Sequence, residues 1–183
     1  MASVLIPLAQ GCEELEAVTI IDLLRRAGIT VTSAGLDDQA VRASRGVVLI
    51  PDTTLDQALQ QDYDMVVLPG GLPGADHLDQ DERIQSLLKK MAASEKFTAA
   101  ICAAPKVLAS AGLLAGKQAT AYPGTLERLN LSDTTLAAGA VVQDGKVVTS
   151  RGPGTAMDFA LALIENLAGK AKRDEVEAGL VRA

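Results

Sequence analysis

The tract Phe97-Thr98-Ala99-Ala100-Ile101-Cys102-Ala103-Ala104-Pro105-Lys106 ends an apolar run on a cysteine flanked by small residues, and a helix-forming stretch follows at once. A strand that delivers a side chain to a sharp turn, with a helix leaving from it, is how a nucleophile elbow is built. Small neighbours leave room for the turn and for an approaching reactant. Unpaired N–H groups and a partial positive charge at the helix start favour thiolate over thiol. The competing reading is a buried cysteine that packs as a small hydrophobe.

Two further clusters carry potential chemistry. In Gly11-Cys12-Glu13-Glu14-Leu15-Glu16, Glu13 and Glu16 lie three apart and share a helix face. Carboxylates in a first turn ordinarily serve the helix dipole and cap its N–H groups. One that points at the strand ends could reach Cys102. Buried against an apolar wall, it would keep its proton, shuttle protons near neutrality and donate a hydrogen bond to sulfur. After the apolar run Met65–Leu68, Pro69-Gly70-Gly71 supplies a turn whose backbone N–H groups, with that of Ala103, could form an oxyanion hole. The same stretch lacks the G-x-G opening of a dinucleotide loop.

His77 is the only histidine, so any Cys–His dyad would have to use it. Cys12 adjoins Glu13, which hinders its ionisation. Arg26, Arg45 and Arg151 are expected to be solvated or paired, and any that reaches Glu13 would orient it. In Arg151-Gly152-Pro153-Gly154-Thr155, Pro153 stiffens a loop and Thr155 is a candidate helix cap.

These residues need a scaffold, and the chain alternates short strand-like runs with helical ones. Val4–Leu8, Ile29–Leu36, Val47–Ile50, Met65–Leu68 and Thr98–Ile101 read as strands; Glu14–Ala27, Asp81–Ala93 and Thr155–Leu167 read as helices, with a charged helical tail after the last. Ala140–Val142 and Lys146–Ser150 flank Asp144-Gly145, a hairpin signal. Such alternation implies an α/β fold, a mostly parallel sheet with helices on both faces. Its ligand crevice lies at the carboxyl ends of the strands. The three clusters fall there together.

Composition sets outer bounds. The chain has 183 residues, 48% of them apolar, and suits one domain with an aliphatic core. A formal net charge of −6 argues against nucleic acid as a main partner. No apolar run approaches the ~20 residues that span a bilayer. Two cysteines are too few for a disulfide framework and fit a reduced, cytoplasmic setting. With one histidine and no Cys-x-x-Cys pair, a metal site is not expected.

Taken in order, Gly11–Ala17, Ala43-Ser44-Arg45-Gly46-Val47, Val67–Gly71, Ala99–Ala103 and Thr149–Thr155 resemble the ThiJ/PfpI superfamily, in the branch of the parkinsonism-associated deglycase. The resemblance implies a flavodoxin-like sandwich, no cofactor, and a homodimer that uses the first helix. It implies Cys102 as an oxidation-prone nucleophile, Glu16 as its protonated partner, and Gly71 and Ala103 as oxyanion donors. Glu13, Arg26 and Arg45 match the family's charged cluster, and Arg151 and Pro153 its cross-dimer loop. Two positions depart: Tyr122 stands before Pro123 where the family often has histidine, and Ala103 stands where the peptidase branch has one. A peptidase triad is therefore unsupported. The resemblance implies a glutathione-independent glyoxalase or deglycase acting on methylglyoxal, another small aldehyde or early glycation adducts. Its rival is a redox-sensing stress protein or chaperone that works through oxidation of Cys102.

Overall fold

A computed structural model describes residues 1–182. In chain order the elements are β1 (Ser3–Leu8), α1 (Glu14–Arg26), β2 (Thr30–Gly35), β3 (Val41–Arg42), β4 (Val48–Leu49), β5 (Thr53–Thr54), α2 (Leu55–Ala58), β6 (Met65–Leu68), α3 (Gly74–Gln80), α4 (Glu82–Ala93), β7 (Phe97–Ile101), α5 (Pro105–Ser110), β8 (Gln118–Ala119), β9 (Thr135–Leu136), β10 (Val141–Asp144), β11 (Val147–Ser150), α6 (Ala156–Ala168) and α7 (Lys170–Gly179). Seven strands form the central sheet in the order β10-β11-β7-β6-β1-β2-β5. All of its pairings are parallel except β10 with β11.

Strand side chains alternate between faces, and the two faces have separate cores. Val4, Ile6, Met65, Val67, Ala99 and Ile101 face the layer of α1, α6 and α7, where Ile20, Leu24 and Phe159 are buried. Leu5, Val66, Leu68 and Ala100 face the opposite layer, against Leu78 of α3, Leu88 of α4 and Val107 of α5. The near-continuous apolar runs of β1, β6 and β7 follow from this two-sided burial.

Three expectations from the sequence are corrected. Val47–Ile50 does not join the central sheet; its middle two residues, β4, pair antiparallel with β3. The turn at Ala43–Gly46, closed by Ala43 N–H to the Val47 carbonyl at 2.8 Å, folds this segment back on itself. Val48 and Ile50 are left 52% and 86% exposed. The hairpin turn also shifts by one residue: Asp144 pairs with Val147, so Gly145 and Lys146 occupy the loop. Thr155 does not cap α6. Its Oγ1 meets Ser150 Oγ at 2.7 Å and accepts the Gly152 N–H at 3.1 Å, binding the loop to β11 instead.

Candidate active site

Cys102 follows β7 directly and has φ +63°, the left-handed region that a side chain enters at a cost of about 1–2 kcal/mol. Neighbouring strands and loops hold it there. Its N–H donates to the Ser150 carbonyl at 3.0 Å, and its own carbonyl accepts the Tyr122 N–H at 2.8 Å. The side chain is buried but borders an open cleft of about 600 Å³, the size of a small-molecule site.

Glu16, in the first turn of α1, is fully buried. It does not cap its helix. Its Oε2 accepts the Gly70 N–H at 2.8 Å, and its carboxyl faces the Cys102 thiol, a hydrogen-bonding partner. Its Oε1 is buried and accepts no hydrogen bond, which suits a protonated carboxyl better than a carboxylate. Burial raises the Glu16 pKa to about 7, against the opposing hydrogen bonds from Gly70 and Cys102.

Burial likewise pushes the Cys102 thiol up to about 12, with the Glu16 charge and hydrogen bond adding to it. The expected acidification by the helix start is therefore outweighed. The Glu16 contribution belongs to its ionised form. Protonation of the carboxyl removes that charge and turns Glu16 from an acceptor into a donor toward sulfur. What then lowers the thiol pKa is local: the backbone N–H groups of Gly71 and Ala103 hydrogen-bond to it. The Gly70 N–H, by contrast, is occupied by Glu16 and is not available as an oxyanion donor.

The glycines here are required by contact. A Cβ on Gly70 would lie 2.6 Å from the Cys102 Cβ and 2.8 Å from Glu16 Oε2. Gly71 has φ +89°, and a Cβ there would meet the Glu13 nitrogen at 2.3 Å. Glu13 is the N-cap residue of α1, but its carboxylate accepts from the Ser44 hydroxyl at 2.8 Å rather than from its helix. Glu14, not singled out in the sequence reading, is an anchor. Its carboxylate accepts the Arg45 N–H at 2.9 Å and the Val47 N–H at 3.4 Å, fixing the Ala43–Gly46 turn to α1. Burial opposes its ionisation, but these bonds and the Ser44 hydroxyl hold its pKa below the usual range.

Of the residues selected from sequence, Glu13, Arg45, Gly71, Cys102, Ala103, Tyr122 and Pro153 border the cleft. Glu16 lies beneath it. Arg26 does not reach it: it sits at the far end of the 13-residue α1, about 20 Å away, and pairs with Asp22 at 2.9 Å. Arg151 turns to the Ala138 carbonyl and borders a different hollow. His77 lies on α3 and lines yet another cavity with Gln10 and Asp37, so no Cys–His dyad forms within the described chain. Cys12 is buried under the start of α1, and burial followed by the Glu14 charge raises its pKa to about 12. Ser44, Lys106, Thr125 and Arg128 border the cleft without having been recognised from sequence. Lys106 falls one helical turn after the elbow and was legible in principle; Arg128 lies in a stretch without periodicity. Among the described residues no group of three or more His, Cys, Asp or Glu is placed to hold a metal ion, and no helix is long and apolar enough to cross a membrane.

Residues 2–166 match the DJ-1/PfpI family. Protein dj-1beta of Drosophila melanogaster is 46% identical over 182 residues, covering 99% of this chain and 97% of its own. A crystal structure of Drosophila melanogaster DJ-1beta superposes with a TM-score of 0.94 at 45% identity, over 100% of this chain and 98% of that one. A protein of Caenorhabditis elegans named glutathione-independent glyoxalase DJR-1.2 is 33% identical over 175 residues, covering 96% of this chain and 92% of its own.

Proposed function

The chain belongs to the DJ-1/PfpI family, and from that premise we propose that it is a glutathione-independent glyoxalase-type enzyme with Cys102 as nucleophile and Glu16 as proton carrier. The observation that carries this reading is the buried Glu16 carboxyl, its pKa raised to about 7, facing a thiol at the floor of an open cleft. A relative named for that activity supports it.

The chemistry balances without any redox partner. In the reactive form the proton sits on Glu16 and the charge on sulfur, where the Gly71 and Ala103 N–H groups receive it. Sγ bonds to the aldehyde carbon of methylglyoxal as the C=O π pair moves onto oxygen, and that oxygen takes the Glu16 proton. The product is a hemithioacetal. Glu16, now a carboxylate, removes the C–H proton of this carbon, and an enediolate forms with its charge on the former ketone oxygen, which takes the proton of the neighbouring hydroxyl. Glu16 returns its proton to the former ketone carbon, the oxygen left on the former aldehyde carbon becomes the carbonyl, and the lactoyl thioester results. Water then cleaves the thioester, releasing lactate and the thiol. The aldehyde carbon is oxidised and the ketone carbon reduced within one molecule. On a carbinolamine adduct of the same aldehyde, the C–N bond breaks as Sγ bonds to carbon and the amine leaves with the Glu16 proton; the same hemithioacetal results, which would extend this to deglycation.

Tyr122 lines the cleft where the family often has histidine, and its backbone N–H still supports the elbow through the Cys102 carbonyl. The elbow thus keeps its geometry while proton transfer rests on Glu16. A homodimer through α1 forms part of the reading. Leu15 and Val18 on that helix are 51% and 46% exposed, an apolar face left uncovered in one chain.

A second reading, redox sensing, is favoured by the same donors. Gly71, Ala103 and a protonated Glu16 would hydrogen-bond the oxygens of a Cys102 sulfinate. Mild peroxide followed by intact mass tests it: two added oxygens confined to Cys102 support it, and an unchanged mass removes it. The glyoxalase reading is tested by lactate formation from methylglyoxal without glutathione, in the parent protein and in Cys102→Ala.

A further inference from the structure

The charge of the cleft runs against the charge of the protein. The chain carries a formal net charge of −6, yet Arg45, Lys106 and Arg128 border the Cys102 cleft and Glu13 is the one acidic residue among its lining. Most arginines of the fold are neutralised locally: Arg25, Arg26, Arg83, Arg173 and Arg182 each hold a carboxylate. Lys106 holds Asp76. Among the described residues Arg42, Arg45, Arg128 and Arg151 hold none, and of these four Arg45 and Arg128 border the Cys102 cleft. Glu13 is meanwhile engaged by the Ser44 hydroxyl.

Arg128 borders the same cleft as Cys102. Its guanidinium folds back over Gly124, with Nη2 3.5 Å and Nε 3.7 Å from where a Cβ on that glycine would be. Gly124 follows Tyr122 and Pro123 in the segment whose Tyr122 N–H holds the Cys102 carbonyl. The guanidinium thus hangs over one wall of the cleft, with Arg45 contributed by the Ala43–Gly46 turn. Thiol and unpaired cations share one compartment.

We propose that this cleft selects aldehydes that carry an anionic tail, and that Arg128 is the substrate-binding residue that sets the preference, with Arg45 adding to the field. A planar guanidinium donates two N–H groups to one carboxylate at once, which fixes orientation as well as charge. For turnover the inference rests on the glyoxalase-type reading, with an α-oxoaldehyde bearing a carboxylate as the substrate class; for binding and steering it does not.

The test therefore has two parts. The first compares the rates at which iodoacetate and iodoacetamide alkylate Cys102, located by peptide mass, with N-acetylcysteine as the reference thiol. The two reagents match in shape and differ in charge. The ratio of anionic to neutral rate is expected to exceed the reference by about tenfold at low salt, to shrink as salt is raised, and to fall toward the reference in Arg128→Gln. A ratio no higher than the reference, or one untouched by Arg128→Gln, overturns the proposal whatever the enzymatic activity.

The second part compares kcat/KM for the α-oxoaldehyde with a carboxyethyl tail and for its neutral methyl ester. A preference for the acid that collapses in Arg128→Gln supports the inference. Equal turnover of acid and ester overturns it and leaves the glyoxalase reading standing. If neither compound is consumed while the alkylation ratio stays high, the glyoxalase reading fails and the anion-selective cleft is supported.

Discussion

Glu16 and Cys102 meet at Gly70, where a Cβ would lie 2.8 Å from Glu16 Oε2 and 2.6 Å from the Cys102 Cβ. The glycine is therefore the contact point between acid and thiol. Gly70→Ala forces these groups apart and is expected to cost about 1–3 kcal/mol of stability, as overpacking in a buried site does. Urea denaturation checks the loss. The rate of Cys102 alkylation in the same variant should change with it, and a variant of parental stability and reactivity would refute the contact.

Glu16→Gln keeps the shape and the Gly70 hydrogen bond but removes the exchangeable acid. Lactate formation from methylglyoxal is expected to fall by about 10²–10⁴, the range for a positioned acid–base group. Cys102 should still be alkylated. Loss of turnover together with loss of alkylation would point instead to a collapsed site.

Stability should carry the signature of Glu16. Its folded pKa, about 7, stands above the ordinary carboxyl value of 4.5, so the folded state binds the extra proton between those values. Stability is then fully present below about pH 4.5 and declines as pH rises through about 7. The span amounts to roughly 3 kcal/mol at most for a group so deeply buried. Urea midpoints at about pH 5 and about pH 8 should differ in this direction for the parent and much less for Glu16→Gln. A parent that gains stability over that range, or a variant with the same slope, contradicts a protonated Glu16.

The apolar face of α1 gives a separate prediction. Leu15 and Val18, three residues apart on one face, are exposed in the single chain. Sedimentation equilibrium should find a dimer for the parent and a monomer for Leu15→Glu combined with Val18→Glu. A parental monomer would remove the dimer from the account.

The fold was legible because buried runs such as Val4–Leu8 and Met65–Leu68 alternate with amphipathic helices and end in glycine turns. The Val47–Ile50 segment misled because an apolar run does not reveal its partner. Here a glycine turn and a carboxylate from Glu14 hold it as a ribbon outside the main sheet. At the site, Cys102 and Gly71 announced themselves through small neighbours and tight turns. Arg128, in a single 3₁₀ turn at Glu127–Leu129, and Ser44, in the Ala43–Gly46 turn, did not, since such short segments enter a cleft by tertiary placement and leave no periodic trace. Arg26, matched by resemblance to a cluster on the dimer-facing side, lies within its own chain at the opposite end of α1 from the cleft and pairs with Asp22.

The central claim is that Cys102 turns over an α-oxoaldehyde with Glu16 as its proton carrier. The most direct measurement is lactate formed from methylglyoxal, without glutathione, by the parent protein and by Cys102→Ala. Many lactate molecules per parent chain and none from Cys102→Ala is the result the account predicts. Aldehyde consumed once per chain without lactate, or lactate formation that survives removal of the thiol, would contradict it.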